Sequence, residues 1–295
     1  MPHLHHAALE TSGSAFLILT LVFMGSVYLR GWLRSSPAER ISAWRAISFL
    51  VGLFLIWAVV ASPLAALDHE LLTAHMVQHL SLMTFAPPLI LLGTPRKLLA
   101  LGLPQRFARL IKSPFPSGPA QKLESVLTHP ILCWLGAAGT LILWHIPAVF
   151  TLSLRSELWH GIEQASFLAT GLLFWWPVID PRAVSLKWPE SSILLYLFLA
   201  TLPCDVLSGF LVFCDRVAYP VFLSSSQAAG LSALEDQQCA GALMWTCVTV
   251  VYFVAAAIFT ARLLSRGRSK ELSTREFEAQ RIPVSHTDPR AMETV

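Results

Sequence analysis

Charge is scarce in this chain. Only 13% of its residues are Asp, Glu, Lys or Arg, against 55% hydrophobic, whereas an ordinary soluble domain carries about 25% charged residues. The motifs of common enzymes are missing: there is no P-loop, no G-x-G-x-x-G, no G-x-S-x-G and no H-E-x-x-H. The five cysteines form no C-x-x-C, so a disulfide framework is not expected. The apolar runs do not alternate, which excludes a barrel. No internal repeat is visible, so the paired-repeat plan of many transporters is unsupported. The net charge of +3 comes from scattered basic residues and does not point to nucleic acid.

What is present is a series of apolar stretches of membrane-crossing length. Mean hydropathy is +0.60. Seven stretches stand out: Ala15–Trp32, Ala46–Ala66, Ala74–Gly93, Pro130–Phe150, Gly161–Ile179, Ser192–Phe213 and Ala240–Leu263. Backbone in lipid must satisfy its own hydrogen bonds, so these runs read as helices. The expected fold is an all-α polytopic membrane bundle of seven transmembrane helices. Residues 1–14 read as a short outer tail. Residues 15–264 read as the transmembrane domain, with a cytoplasmic loop at about 94–129 that includes a short surface helix around Gln105–Lys112. Residues 265–295 read as a polar, disordered tail.

Basic residues set the orientation. Alternate connections hold Arg30, Arg34, Arg40 and Arg45, then Arg96 through Lys122, then Arg182 and Lys187, then the tail from Arg262 to Arg290. The connections between them hold only Arg155 and Arg216. This alternation places the N-terminus outside and the C-terminus in the cytoplasm. No basic stretch precedes the first span, which therefore reads as retained.

That orientation brings unusual residues to one level. His75-Met76-Val77-Gln78-His79 opens the third span from outside. On a helix, His75, His79 and Met83 lie four residues apart on one face, with Gln78 beside them. His145 closes the fourth span, and His160, Glu163 and Gln164 open the fifth. Asp205 lies in the outer half of the sixth span, and Asp236, Gln237 and Met244 open the seventh. Imidazoles and thioethers are ligands that copper and haem iron accept. Ionisable groups inside a membrane need partners. Each residue also has a bland reading: His75 as a solvated interfacial residue, Met76, Met83 and Met244 as core filler, His145 as a bond to a carbonyl freed by Pro147. The convergence on one side is what favours a site.

At these residues the chain resembles a known family. His75-Met-Val-Gln-His79, Ala86-Pro87-Pro88-Leu89 and Leu92-Gly93-Thr94-Pro95 are similar to the CtaG family of cytochrome c oxidase assembly factors, of the caa-type kind. Trp144-His145-Ile146-Pro147, Gly171-Leu-Leu-Phe-Trp175-Trp176-Pro177 and Glu235-Asp236-Gln237…Gly241-Ala-Leu-Met244-Trp245 continue the likeness in order. The resemblance implies a non-enzymatic role, with no catalytic residue, in maturing a haem–copper oxidase of the bacterial plasma membrane. It implies handling of copper near the outer leaflet, with oxidase subunits and an extracytoplasmic copper carrier as partners besides membrane lipid. The family's motif residues carried over here are His75, His79, His145, Asp236 and Met244. Met83, Met76 and His160 complete the candidate metal ligands. Gln78, Asp205, Asp236, Gln237 and Glu163 are expected to orient ligands or carry protons. Three alternatives remain at this point: a haem-binding or quinol-handling redox protein, with His79 and His145 as haem ligands; a metal or proton transporter using Asp205; and a pure scaffold whose polar cluster serves packing and partner contact.

Overall fold

Prolines decide where the long apolar runs break. A computed structural model describes residues 2–36, 41–93, 95–105, 107, 118, 126–179, 189, 191–223 and 230–281. Every regular element among them is helical: α1 (Pro2–Arg34), α2 (Ala43–Val60), a 3-10 turn (Pro63–His69), α3 (Leu72–Leu80), a π-helical segment (Ser81–Phe85), α4 (Ala86–Leu92), α5 (Pro95–Gly102), α6 (Pro130–Trp144), α7 (Pro147–Arg155), α8 (Glu157–Ile179), α9 (Ser192–Phe213), a second 3-10 turn (Pro220–Phe222) and α10 (Ala233–Arg281). Contacts divide the chain into Met1–Tyr252 and Phe253–Val295; the second unit holds the later part of α10.

Among the described residues, four helices are long and apolar enough to cross a membrane: Ala15–Arg34, Ala43–Val60, Ser192–Phe213 and Ala233–Arg268. Two bent pairs raise the number to six, Leu72–Leu92 with Arg96–Gly102 and Pro130–Trp144 with Pro147–Arg155. The remaining stretch, Gly161–Ile179, corresponds to α8. Its 23 residues span about 34 Å, but His160, Glu163 and Gln164 lower its apolarity. Large side chains such as Phe23, Val206, Phe210 and Phe213 stand exposed, as a lipid-facing surface requires.

Both ends differ from the sequence expectation. Helix α1 begins at Pro2, so the outer tail is helical in backbone. Helix α10 runs to Arg281, well into the segment read as a disordered tail. Most of the surface helix expected near Gln105–Lys112 lies outside the described residues.

Two breaks shape the interior. The first follows from Pro87 and Pro88, which have no N–H to give to the carbonyls of Met83 and Thr84. The backbone widens into a π segment, where Ala86 N–H reaches back to the Ser81 carbonyl. The freed Met83 carbonyl accepts the Trp175 indole N–H at 3.2 Å. Gly171 lets α8 lie against this segment: a Cβ there would sit 2.8 Å from the Met83 carbonyl oxygen and 2.9 Å from Pro87 Cγ. The second break is at His145–Ile146. Pro147 forces Ile146 into an extended conformation, and α6 and α7 meet at 77°.

Packing brings these breaks together. Helix α8 lies against α6, α7, α4 and the π segment; α3 lies on the first 3-10 turn; α9 lies against α6. Helix α3 has no local cap, because Leu71 occupies that position. Asp236 of α10 does the work instead, accepting the N–H groups of Leu72 at 2.7 Å and Thr73 at 3.1 Å.

Candidate metal centre

His75 and His79 project from α3 one helical turn apart, their ring centroids 4.2 Å from each other. Glu163 faces them from α8. Its Oε1 lies 3.2 Å from His79 Nε2 and 3.6 Å from His75 Nε2. His75 and Glu163 are 0% exposed and His79 is 4% exposed. Neither carboxylate oxygen and none of the four ring nitrogens makes a hydrogen bond among the described residues. The groups are close but misaligned for one. Buried polar atoms are ordinarily paired, and a buried carboxylate needs a cation or strong donors. One donor atom from each residue falls within 4.8 Å of the others. Ligands held about 2.0–2.1 Å from a tetrahedral ion sit roughly 3.3 Å apart, close to the spacing found.

His145 ends α6 beside this group, its ring centroid 5.9 Å from that of His79. Its Nδ1 lies 2.7 Å from the Leu141 carbonyl. A carbonyl only accepts, so Nδ1 carries the proton and the Nε2 lone pair is free. That lone pair faces Met76 Sδ at 3.4 Å. The position is well fixed. Tyr219 donates its hydroxyl to the His145 carbonyl at 2.9 Å. Trp144 Nε1 donates to Ser166 Oγ, which donates to the Glu163 carbonyl, tying α6 to α8. A cavity opens from His79 and His145 between the helices and is lined by Met76, Met83, Cys204 and Met244. These are soft or borderline donors. The π segment removes Met83 from strict four-residue register with His79, yet Met83 still lines this cavity.

A second polar group adjoins the first. Asp68 and His69 come from the first 3-10 turn and His160 from α8, and their donor atoms also lie within 4.8 Å of one another. His160 Nε2 lies 3.3 Å from Asp68 Oδ2, and His69 Nε2 lies 3.5 Å from Asp68 Oδ1. Gln78 bridges the groups: its Nε2 donates to Asp68 Oδ2 at 2.8 Å and to the Val59 carbonyl at 2.7 Å, and its Oε1 lies 3.1 Å from His160 Nε2. Gln164 Nε2 also contacts His160 Nε2. Burial raises the Asp68 carboxyl above the usual carboxylate range, against the pull of His69, His75 and Gln78. Burial likewise raises the Tyr219 phenol.

The residues singled out from sequence therefore divide. His79 joins two neighbouring places: with His75 it faces Glu163, and with His145, Met76, Met83 and Met244 it lines the cavity; Gln78 and His160 stand beside the first. Glu163, expected to orient a ligand, faces the two imidazoles directly. Asp236 and Gln237 do not belong to the site. Asp236 caps α3. Gln237 accepts from Ala218 N–H at 2.7 Å and donates to the Leu211 and Arg216 carbonyls, holding the end of α9. Asp205 belongs to neither group, although its Oδ1 is buried without a hydrogen bond among the described residues. Cys239 is exposed. Asp68 and His69 were missed by sequence reasoning; an acidic residue next to a histidine in the connection before His75 was the available signal.

Two proteins called uncharacterized, Mb0105 of Mycobacterium bovis and MT0111 of Mycobacterium tuberculosis, are each 27% identical over 276 residues. The alignment covers 88% of this chain and 40% of each relative. ML1998 of Mycobacterium leprae is 23% identical over 263 residues, 82% of this chain and 38% of its own. The chain thus spans about two fifths of the length of these relatives. No solved structure matches it. The family profile of the cytochrome c oxidase caa3 assembly factor (Caa3_CtaG) matches residues 26–266, and the chain belongs to that family.

Proposed function

We propose that this protein serves the maturation of a haem–copper cytochrome c oxidase by holding copper at His75, His79 and Glu163 and passing it to an oxidase subunit. The observation that carries the reading is the orphaned, fully buried pair of imidazoles facing one carboxylate at coordination spacing. Family membership supplies the oxidase. The adjoining cavity, with His145, Met76, Met83 and Met244, suits reduced copper as an onward station. The Arg and Lys bias supports seven spans in a bacterial plasma membrane, the N-terminus outside and the site near the outer leaflet. A copper carrier on that side and oxidase subunits are the partners. A haem between His79 and His145 fits less well, because His145 Nε2 faces Met76 Sδ and not His79.

The test is copper analysis of the full chain, purified under reducing conditions. His79→Ala and Glu163→Gln are each expected to lose one copper equivalent and to fail to restore oxidase activity in a deletion strain. Normal copper content together with full oxidase activity in both variants refutes the reading.

A further inference from the structure

The group formed by Asp68, His69 and His160 repeats the chemistry of the buried one: two imidazoles and a carboxylate. The carboxylate lies between the two imidazoles, Oδ2 3.3 Å from His160 Nε2 and Oδ1 3.5 Å from His69 Nε2, and one donor atom from each residue falls within 4.8 Å of the others. Its environment differs. The His69 side chain is 50% exposed, while Asp68 and His160 are 3% and 8% exposed. Asp68 Oδ1 is buried and makes no hydrogen bond among the described residues, a second sign that something else belongs there. A cleft lined by Val59, Leu67, Asp68, Val77 and Gln78 reaches the same carboxylate.

The two groups share a wall. The His160 ring stacks near the His75 ring, centroids 5.8 Å apart and planes inclined by 22°. The His69 ring meets the His160 ring edge-on, centroids 5.1 Å apart. His69, His160 and His75 thus form a graded series from half-exposed to fully buried. An ion bound by His69 can be taken up by His160, and then by the pair beyond, without crossing bare hydrocarbon.

We propose that Asp68, His69 and His160 form a second copper site, a loading site, that receives the ion from water and hands it to the buried His75–His79–Glu163 group. The inference rests on the copper-handling reading above. Transfer is ligand exchange: imidazole and carboxylate donors of the first site are replaced by those of the second. The copper stays monovalent throughout, so no electron donor is needed.

The experiment uses full-length protein in detergent with His3, His5 and His6 changed to Ala, so that the N-terminal histidines add no sites. Copper(I) is delivered from a coloured chelate. Two equivalents are expected in this parent and one in His69→Ala, which trims a half-exposed side chain and leaves the buried core intact. Asp68→Asn, nearly isosteric, should also fall to one. In stopped flow, the phase that fills the buried site should slow at least tenfold in His69→Ala. If His69→Ala keeps both equivalents while Glu163→Gln still loses one, the loading site is wrong and the buried site stands. If His69→Ala loses an equivalent but fills the buried site at the parent's rate, the hand-over is wrong. If no protein in the series holds copper, the copper reading falls and takes the loading site with it.

Discussion

Glu163 lies fully buried between two imidazoles and makes no hydrogen bond through its carboxylate among the described residues. A lone carboxylate in such surroundings is costly unless a cation joins it. His145 illustrates a different constraint. Its Nδ1 proton is committed to Leu141, which leaves Nε2 as the donor and Met76 as its neighbour. Met76→Ile keeps the apolar volume and removes the sulfur. It should weaken copper(I) binding about tenfold, roughly 1.4 kcal/mol, without lowering the stoichiometry; competition against a chelator reads this directly. An unchanged affinity would reduce Met76 to packing. The imidazole pair was legible in the sequence because four-residue spacing on a helix places both rings on one face. The role of Glu163 was only half legible: an acidic residue within a span signals function, but not which group it faces.

Among the elements, α3 carries the ligands and depends on others for its own stability. Its first turn is capped from α10 by Asp236, across a large gap in sequence. Asp236→Ala orphans two backbone N–H groups and should lower stability by about 1–3 kcal/mol, seen as an earlier unfolding midpoint in detergent. Copper stoichiometry should survive wherever the fold does, which separates a cap from a ligand. Asp236 was misread from sequence because a carboxylate at a span end looks the same in either role; only the partner distinguishes them. The break after Leu80 shows another limit. Adjacent prolines signal a disturbed helix, but a π segment shifts register by one residue, and that shift appears only in the backbone. The sequence places Met83 on one face with His75 and His79; the π segment takes it out of that register, although it still lines the cavity.

Across the whole molecule, the apolar runs and the basic connections made the helical membrane architecture readable. Composition alone could not show that one run bends by 77° at Ile146, or that a connection folds back to bring Asp68 against His160. Such juxtapositions depend on packing between distant segments. The orientation can be tested in intact cells with a thiol reagent that does not cross membranes. Ser156→Cys, in the connection between α7 and α8, should label from outside. Ser265→Cys should label only after the membrane is opened. The reverse pattern would invert the topology and put both metal-ligand groups on the cytoplasmic side.

Charge balance gives the buried group a selectivity that its donor types lack. Two neutral imidazoles and one carboxylate carry a single negative charge. A monovalent ion would make the assembly neutral; a divalent ion would leave a net positive charge, with Asp68 the next carboxyl acting on His75. In an apolar interior that imbalance costs several kcal/mol. The group around Asp68 differs in that its His69 side chain is 50% exposed. On the copper reading, charge balance would disfavour zinc more at the buried site than at the half-exposed one, so matching ligand sets would accept broadly at the surface and sort by oxidation state within.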